Sequence, residues 1–118
     1  MTLEEVIANH SEEVKNIYMK LRSAALDVSP RPDESFLGGT KVKMSSYSIH
    51  GKMICVIGPY KDHCKLYLHQ TDQVNTGSLK LEGKGKHTKT VKVATLGEEL
   101  FAEIKTVLGE ITKVLDQN

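Results

Sequence analysis

Over residues 63–69 the chain reads His-Cys-Lys-Leu-Tyr-Leu-His, so that apolar and polar side chains alternate. Successive side chains of a β-strand point to opposite faces, and this pattern therefore predicts a strand that is buried on one face only. The buried face would carry Cys64, Leu66 and Leu68, and the open face His63, Lys65, Tyr67 and His69. A sheet with one solvated face is typically antiparallel, so the stretch also predicts an antiparallel sheet.

Shorter signals on both sides extend this sheet. Further strands are predicted where apolar residues alternate with polar ones or form short runs between turn residues, at about residues 40–49, 53–57 and 88–94. Residues 27–34 contain two prolines and predict a loop. Residues 70–86 are rich in Thr, Asn, Gly and Lys and predict an irregular connection, in which Leu79 and Leu81 indicate some ordered contact.

Both ends of the chain predict helices, because apolar residues recur there every three or four positions. Near the N-terminus we predict a short helix at about residues 3–9 and a longer one at about 12–26. A break near His10 would separate them, with Ser11 as the cap of the second helix. A single bent helix fits the same pattern. The C-terminal helix would span about residues 97–116.

These elements predict a two-layer α+β sandwich, in which an antiparallel sheet of about four to five strands carries the N- and C-terminal helices on one face. The length of 118 residues fits a single domain, residues 1–118. Cys55 and Cys64 lack a CxxC spacing and the N-terminus is acidic, which together predict reduced thiols, a cytoplasmic location and no membrane segment. A monomer and a homodimer are both compatible with the sequence.

The formal net charge of +1 hides a strong segregation along the chain. Residues 1–40 carry four basic and seven acidic side chains, and residues 93–118 carry two and five. Residues 41–92 carry ten lysines against three acids, a net charge of +7. Because this middle segment holds most of the predicted sheet, the sheet would be basic and the helices acidic.

Several segments stand in the order and spacing of one known family. They are Thr2-Leu3-Glu4-Glu5-Val6-Ile7 with Glu12-Glu13-Val14, Gly51-Lys52-Met53-Ile54, Tyr60-Lys61-Asp62-His63 with Leu66-Tyr67, and Leu81-Glu82-Gly83-Lys84-Gly85-Lys86 before Val91-Lys92-Val93. In these the chain resembles the small bacterial YdhG-like domains, whose members include proteins described as frataxin-like intracellular iron chaperones. The resemblance implies the same α+β sandwich. Lys43-Met44-Ser45-Ser46 departs from the Tyr-Gly-x-Pro type of segment usual in the family's first strand.

The resemblance makes iron a candidate cargo. Frataxin-type iron chaperones use clustered carboxylates, whose hard oxygens hold iron weakly enough to release it. The comparable cluster in this chain is Glu4, Glu5, Glu12 and Glu13, with Asp33 and Glu34 beside it. Acids also stabilise the first turn of a helix through its dipole, which is the alternative interpretation of these glutamates.

The predicted open sheet face is the second candidate site. Its cationic and aromatic side chains would be Lys61, His63, Lys65, Tyr67, His69 and Lys92, with Lys41, Lys43 and Tyr47 as neighbours. Such a face suits an acidic partner protein, a small anion, or a nucleic-acid backbone that also contacts the loop at 83–87. No RNA-recognition pattern or helix-turn-helix signal supports nucleic acid, and a merely solvated face is the remaining interpretation.

No catalytic constellation stands out in the sequence, which has neither a nucleophile-elbow motif nor a pair of carboxylates at catalytic spacing. His63 and Cys64 would point to opposite faces, so we expect no shared metal site and predict Cys64 to be a core residue. We therefore predict a non-enzymatic cytosolic binding domain. Iron handling or docking of an acidic partner would be its function, with anion or nucleic-acid binding as the alternative.

Overall fold

The computed structural model describes residues 1–39 and 42–117, so the predicted neighbour Lys41 lies outside the described residues. Five strands form one antiparallel sheet in which the spatial order equals the order in sequence. They are β1 (Asp33–Gly38), β2 (Lys43–Ile49), β3 (Lys52–Pro59), β4 (Cys64–His69) and β5 (Thr88–Val93). The helices are α1 (Leu3–Ile7) and α2 (Glu12–Leu26), which precede the sheet, and α3 (Glu98–Asp116), which follows it.

One apolar core lies between the sheet and the long helices. Leu21 of α2, Leu66 of β4 and Leu108 of α3 are all fully buried in this core, as are Cys64 and Leu68 on the same face of β4. Both α2 and α3 contact β3, and α1 contacts β2. This confirms the predicted α+β architecture, with an antiparallel sheet and helices from both ends of the chain packed against it.

The N-terminal segment forms two helices rather than one bent helix. Ser11 ends the break between them, since its Oγ accepts a hydrogen bond of 3.2 Å from the backbone N–H of Val14. Nδ1 of His10 lies 3.0 Å from the carbonyl oxygen of Tyr60 and can donate to it. The break between α1 and α2 is therefore fixed against the turn that joins β3 to β4.

The prediction of a loop over residues 27–34 is wrong at its end, because β1 begins at Asp33. The strand begins with polar residues, so the pattern of apolar residues does not predict it. Its conformation is stabilised by tertiary contacts. Every residue of β1 pairs with β2, from Asp33 opposite Ser48 to Gly38 opposite Lys43, and Phe36 packs against the core. The sheet therefore has an edge strand that no local pattern announced.

The long connection between β4 and β5 is irregular, as predicted, but it is held to the rest of the fold. Leu79 is buried, which confirms the predicted contact in this segment. Glu82 and Thr90 exchange two backbone hydrogen bonds of 2.8 and 2.9 Å, so the connection forms one bridge with the outer edge of β5. In the described residues, no helix is both long and apolar enough to cross a lipid bilayer.

Candidate binding face

The face of the sheet that points away from α2 and α3, here called the open face, carries the polar half of the β4 alternation. Lys65, Tyr67 and His69 are half-buried on this face, whereas the residues between them are fully buried on the other. In the register of β4 and β5, Lys65 lies directly opposite Lys92 and Tyr67 opposite Thr90. Residues that face each other across two strands share a face, so the two lysines are neighbours.

An aromatic cluster caps the open face at the turn between β3 and β4. Within this turn the N–H of Tyr60 donates to the carbonyl of His63 over 2.8 Å, and the two rings stack at a centroid distance of 5.2 Å and an angle of 8°. The hydroxyl of Tyr60 lies 2.7 Å from that of Tyr67, so one donates to the other. Nζ of Lys65 lies 5.2 Å from the Tyr60 ring centroid, within cation–π range.

Tyr60 was not among the predicted site residues, although it joins three of them. A turn residue has no periodicity, so strand alternation says nothing about where its side chain points. The only sequence signal is an aromatic residue directly after Gly58-Pro59, where the strand ends. Burial raises the pKa of Tyr67, and the bond with Tyr60 raises it further, so the Tyr67 hydroxyl stays protonated at neutral pH.

His63 is held by an acid in the same turn. Its Nδ1 donates to Oδ1 of Asp62 over 2.7 Å, because a carboxylate can only accept. This bond, with a smaller contribution from the charge of Lys92, keeps the pKa of Asp62 below its usual range. Nε2 of His63 is buried, and no partner for it stands among the described residues. The imidazole is thus fixed in orientation, with an acceptor nitrogen left over if the ring is neutral.

The structure brings most of the predicted face residues to one end of the sheet. Lys61 is exposed in the turn, beside His63, and Lys65 and Lys92 follow at the adjoining ends of β4 and β5. His69 lies four residues along β4 from Lys65, about 13 Å away at the strand rise of about 3.3 Å per residue. Burial lowers the pKa of His69, so that ring adds no positive charge at neutral pH.

The loop at 83–87 lies away from this cluster. It leads into Thr88, which pairs with His69 at the opposite end of the sheet from the turn at Lys61. His87 bonds there to the 3-10 turn, with its carbonyl accepting from the N–H of Thr71 over 3.1 Å. The residues of the predicted nucleic-acid surface, which combined this loop with Lys61, therefore lie at two ends of the sheet.

Tyr47 does not neighbour the open face, and that prediction is wrong. It pairs with Cys55 on the core side of the sheet and is fully buried. Its hydroxyl donates to Oε2 of Glu34 over 2.7 Å and lies 3.0 Å from Oγ of Ser45. By alternation Lys43 projects from the same side of β2 as Ser45, and so it does not join the open face either.

Glu34 lies in a half-buried ion pair with Arg22. Nε and Nη2 of Arg22 donate to its two carboxylate oxygens over 2.7 and 2.8 Å, near the C-terminal end of α2. Burial raises the pKa of this carboxyl, but the bonds from Arg22 and Tyr47 and the charge of Arg22 together outweigh burial and lower it. The Glu34 carboxylate is thus engaged by Arg22 and Tyr47, and its place in an acidic iron cluster stays a prediction.

The four glutamates predicted for iron lie in the first turns of two helices, Glu4 and Glu5 in α1 and Glu12 and Glu13 in α2. All four are exposed, and Oε1 of Glu12 lies 3.6 Å from Nζ of Lys15. Across residues 1–39 and 42–117, no three His, Cys, Asp or Glu side chains are close enough to hold a metal ion. Iron binding by these glutamates stays a prediction.

Cys55 and Cys64 are buried and unbonded to each other, which confirms Cys64 as a core residue. Burial raises the pKa of the Cys64 thiol to about 12, so it carries no reactive thiolate at neutral pH. The open face accordingly presents lysines and aromatic rings for contact, and the thiols lie on the other side of the sheet. No family model, curated protein sequence or solved structure matches the chain, so the case for a function rests on this geometry.

Proposed function

We propose that the protein is a non-enzymatic binding domain that docks an acidic segment of a partner protein on its open face. The observation that carries the proposal is the direct cross-strand pairing of Lys65 with Lys92. Like charges placed opposite each other destabilise a sheet, so an anion that binds between the two lysines stabilises the protein. A carboxylate-bearing segment relieves that repulsion and gains two charge-assisted hydrogen bonds.

The surroundings of the two lysines support an anionic ligand. Lys61 adds a third cation, which is exposed, at the same end of the sheet as the half-buried Lys65 and the exposed Lys92. The nearby acid Asp62 already accepts a hydrogen bond from His63, and Asp33 on β1 and Glu82 beside β5 lie at the two edges of the sheet. Positive charge is therefore concentrated at one end of the face, which also steers an acidic partner toward it during association.

A protein segment fits this surface better than single-stranded nucleic acid does. Proteins that bind single-stranded nucleic acid stack its bases on exposed aromatic rings. Here the Tyr60 ring already stacks on His63 and lies within cation–π range of Lys65, so a base that stacked on Tyr60 would compete with these contacts. Lys92 is exposed, so a carboxylate can bind it without displacing these contacts.

Removal of both opposed lysines tests the proposal. We expect the Lys65→Ala, Lys92→Ala double variant to bind a glutamate-rich peptide about fivefold more weakly than the parent, because two charge contacts near the protein surface are lost. The measurement is an NMR titration of the peptide into labelled protein, with the backbone amides of β4 and β5 as reporters. Affinity should also fall as salt is added.

The matched control is the Lys20→Ala, Lys113→Ala double variant, which removes two exposed lysines from α2 and α3. Equal loss of affinity in both double variants would refute a localised site. Single-stranded RNA that shifts the same amides more tightly than the peptide would replace the proposal with nucleic-acid binding. Ferrous iron that shifts only Glu4, Glu5, Glu12 and Glu13 would instead support the iron hypothesis.

A further inference from the structure

The part of the open face built from β1, β2 and β3 carries apolar side chains, which alternate with Asp33, Ser35, Ser46 and Ser48. Leu37 of β1 is 43% exposed and projects from this face. Met44, Met53 and Val56 are half-buried on the same face, opposite Leu37, Ser48 and Ser46 respectively. The proposed docking of an acidic segment makes no use of these side chains, although they are continuous with the lysines.

One row of residues crosses all five strands and changes character along its length. Leu37 pairs with Met44, and Gly58 of β3 pairs with Lys65, which in turn pairs with Lys92. Met44 and Tyr60 meet over Gly58, since the Cε of Met44 and the Cε2 of Tyr60 each lie 3.3 Å from the place where its Cβ would be. The row is therefore apolar at β1, aromatic in the middle and cationic at β5.

The length of this row determines how long a bound peptide segment can be. Neighbouring strands lie about 4.8 Å apart, so about 19 Å separates β1 from β5. At about 1.5 Å per residue, a helical segment of about 13 residues covers that distance. Carboxylates are stabilised over Lys65 and Lys92, whereas they would lose hydration without compensation over Leu37 and Met44.

We infer that the partner segment has acidic residues at one end and apolar residues at the other. This inference rests on the proposed function and specifies the chemistry of the partner at that same face. The acidic end lies over Lys65 and Lys92, and the apolar end covers Leu37, Met44 and Val56. Charge complementarity at one end and apolar burial at the other then fix the direction in which the segment lies.

Three peptides of about 13 residues test the direction and the apolar contact. The first carries a block of glutamates followed by a block of leucines, the second has the same composition evenly mixed, and the third replaces every leucine with serine. We expect the block peptide to bind the parent protein about tenfold more tightly than the serine peptide, with the mixed peptide between them.

The apolar end is tested on the protein by Leu37→Ser. This change should remove most of the advantage of the block peptide and leave the affinity of the serine peptide unchanged. Met19→Ser is the matched control, since Met19 is 39% exposed on α2 and should affect no peptide. Far-UV circular dichroism and thermal unfolding check each variant, and Leu37→Ala serves if the serine variant is unfolded.

The outcomes separate this inference from the proposed function. Equal binding of all three peptides, with Leu37→Ser silent, overturns the inference and leaves docking of an acidic segment standing. No shift of the β4 and β5 amides with any peptide overturns both. Dimerisation of the free protein that Leu37→Ser abolishes would assign the part of the open face built from β1, β2 and β3 to a second copy and also overturn the inference.

Discussion

Replacing Gly38 with alanine is expected to lower the free energy of unfolding by about 3 kcal/mol, because the change combines backbone strain with a steric clash. Gly38 ends β1 at φ +134°, a conformation that side chains rarely adopt. A Cβ at this position would run into the carbonyl oxygen of Val42 and lie 2.7 Å from the Cα of Lys43. Both obstacles are backbone atoms of the β1–β2 hairpin, so the clash is relieved only when the two strands separate.

Gly39 provides the matched control one residue away. A Cβ built there meets no atom of the described residues within 4 Å, so we expect Gly39→Ala to change stability by less than about 0.5 kcal/mol. Urea unfolding of both variants, followed by circular dichroism, measures the difference. If Gly38→Ala and Gly39→Ala unfold at the same urea concentration, the hairpin does not hold Gly38 in the conformation described here.

The strands that could be predicted from sequence are those whose own side chains alternate. β4 repeats Cys64, Leu66 and Leu68 on one face, and each of these is fully buried. The same alternation correctly placed Lys65 and Tyr67 on the other face. In a pattern of period two, the apolar side chains lie on the buried face of the sheet and the polar ones on the open face. The pattern therefore predicts which way a side chain points without knowledge of the neighbouring strands.

β1 was missed because its conformation depends on partners far away in sequence. Asp33, Glu34 and Ser35 are poor strand formers, and a local count sees only Phe36 and Leu37 before two glycines. What makes the segment a strand is its pairing with β2 and the bond between Glu34 and Arg22 of α2. Neither contact leaves a signal in the residues of β1 themselves.

Alternation likewise predicted only those residues of the candidate site that lie on strands. Alternation brings Lys65 and Tyr67 to one face, and the antiparallel register then adds Lys92 from β5. Tyr60 lies in a turn, where the direction of a side chain depends on the hydrogen bond that closes the turn. Tyr47 was misplaced for a related reason, since a polar run of serines around it conceals which side of β2 faces the core.

The ion pair of Arg22 and Glu34 should be worth more to stability than most charge pairs of this protein. The side chains are 26% and 15% exposed, and Glu34 also accepts from the fully buried hydroxyl of Tyr47. Glu34→Gln keeps the shape but removes the charge and one acceptor. We expect it to lower the free energy of unfolding by about 2 kcal/mol at pH 7, because hydrogen bonds to a charged group are lost.

The control is Glu13→Gln, which makes the same chemical change at an exposed glutamate in the first turn of α2. Its cost should stay below about 0.5 kcal/mol, the size of a helix-dipole contribution at the surface. Tyr47→Phe removes only the hydroxyl that donates to Glu34 and should fall between the two, at about 1 kcal/mol. Equal stability of the Glu34 and Glu13 variants would show that the buried network contributes nothing beyond surface charge.

The pH dependence of the same variant gives a second and sharper check. Because the pKa of Glu34 is lower in the folded chain than in the unfolded one, its carboxylate stabilises the fold fully above the ordinary glutamate value of about 4.3. That contribution is lost as the pH falls through the folded value, where the protonated acid resembles glutamine. The stability difference between the parent and Glu34→Gln should therefore be largest at pH 7 and shrink in strong acid. A difference that stays constant over that range would mean that shape, rather than charge, holds Arg22 in place.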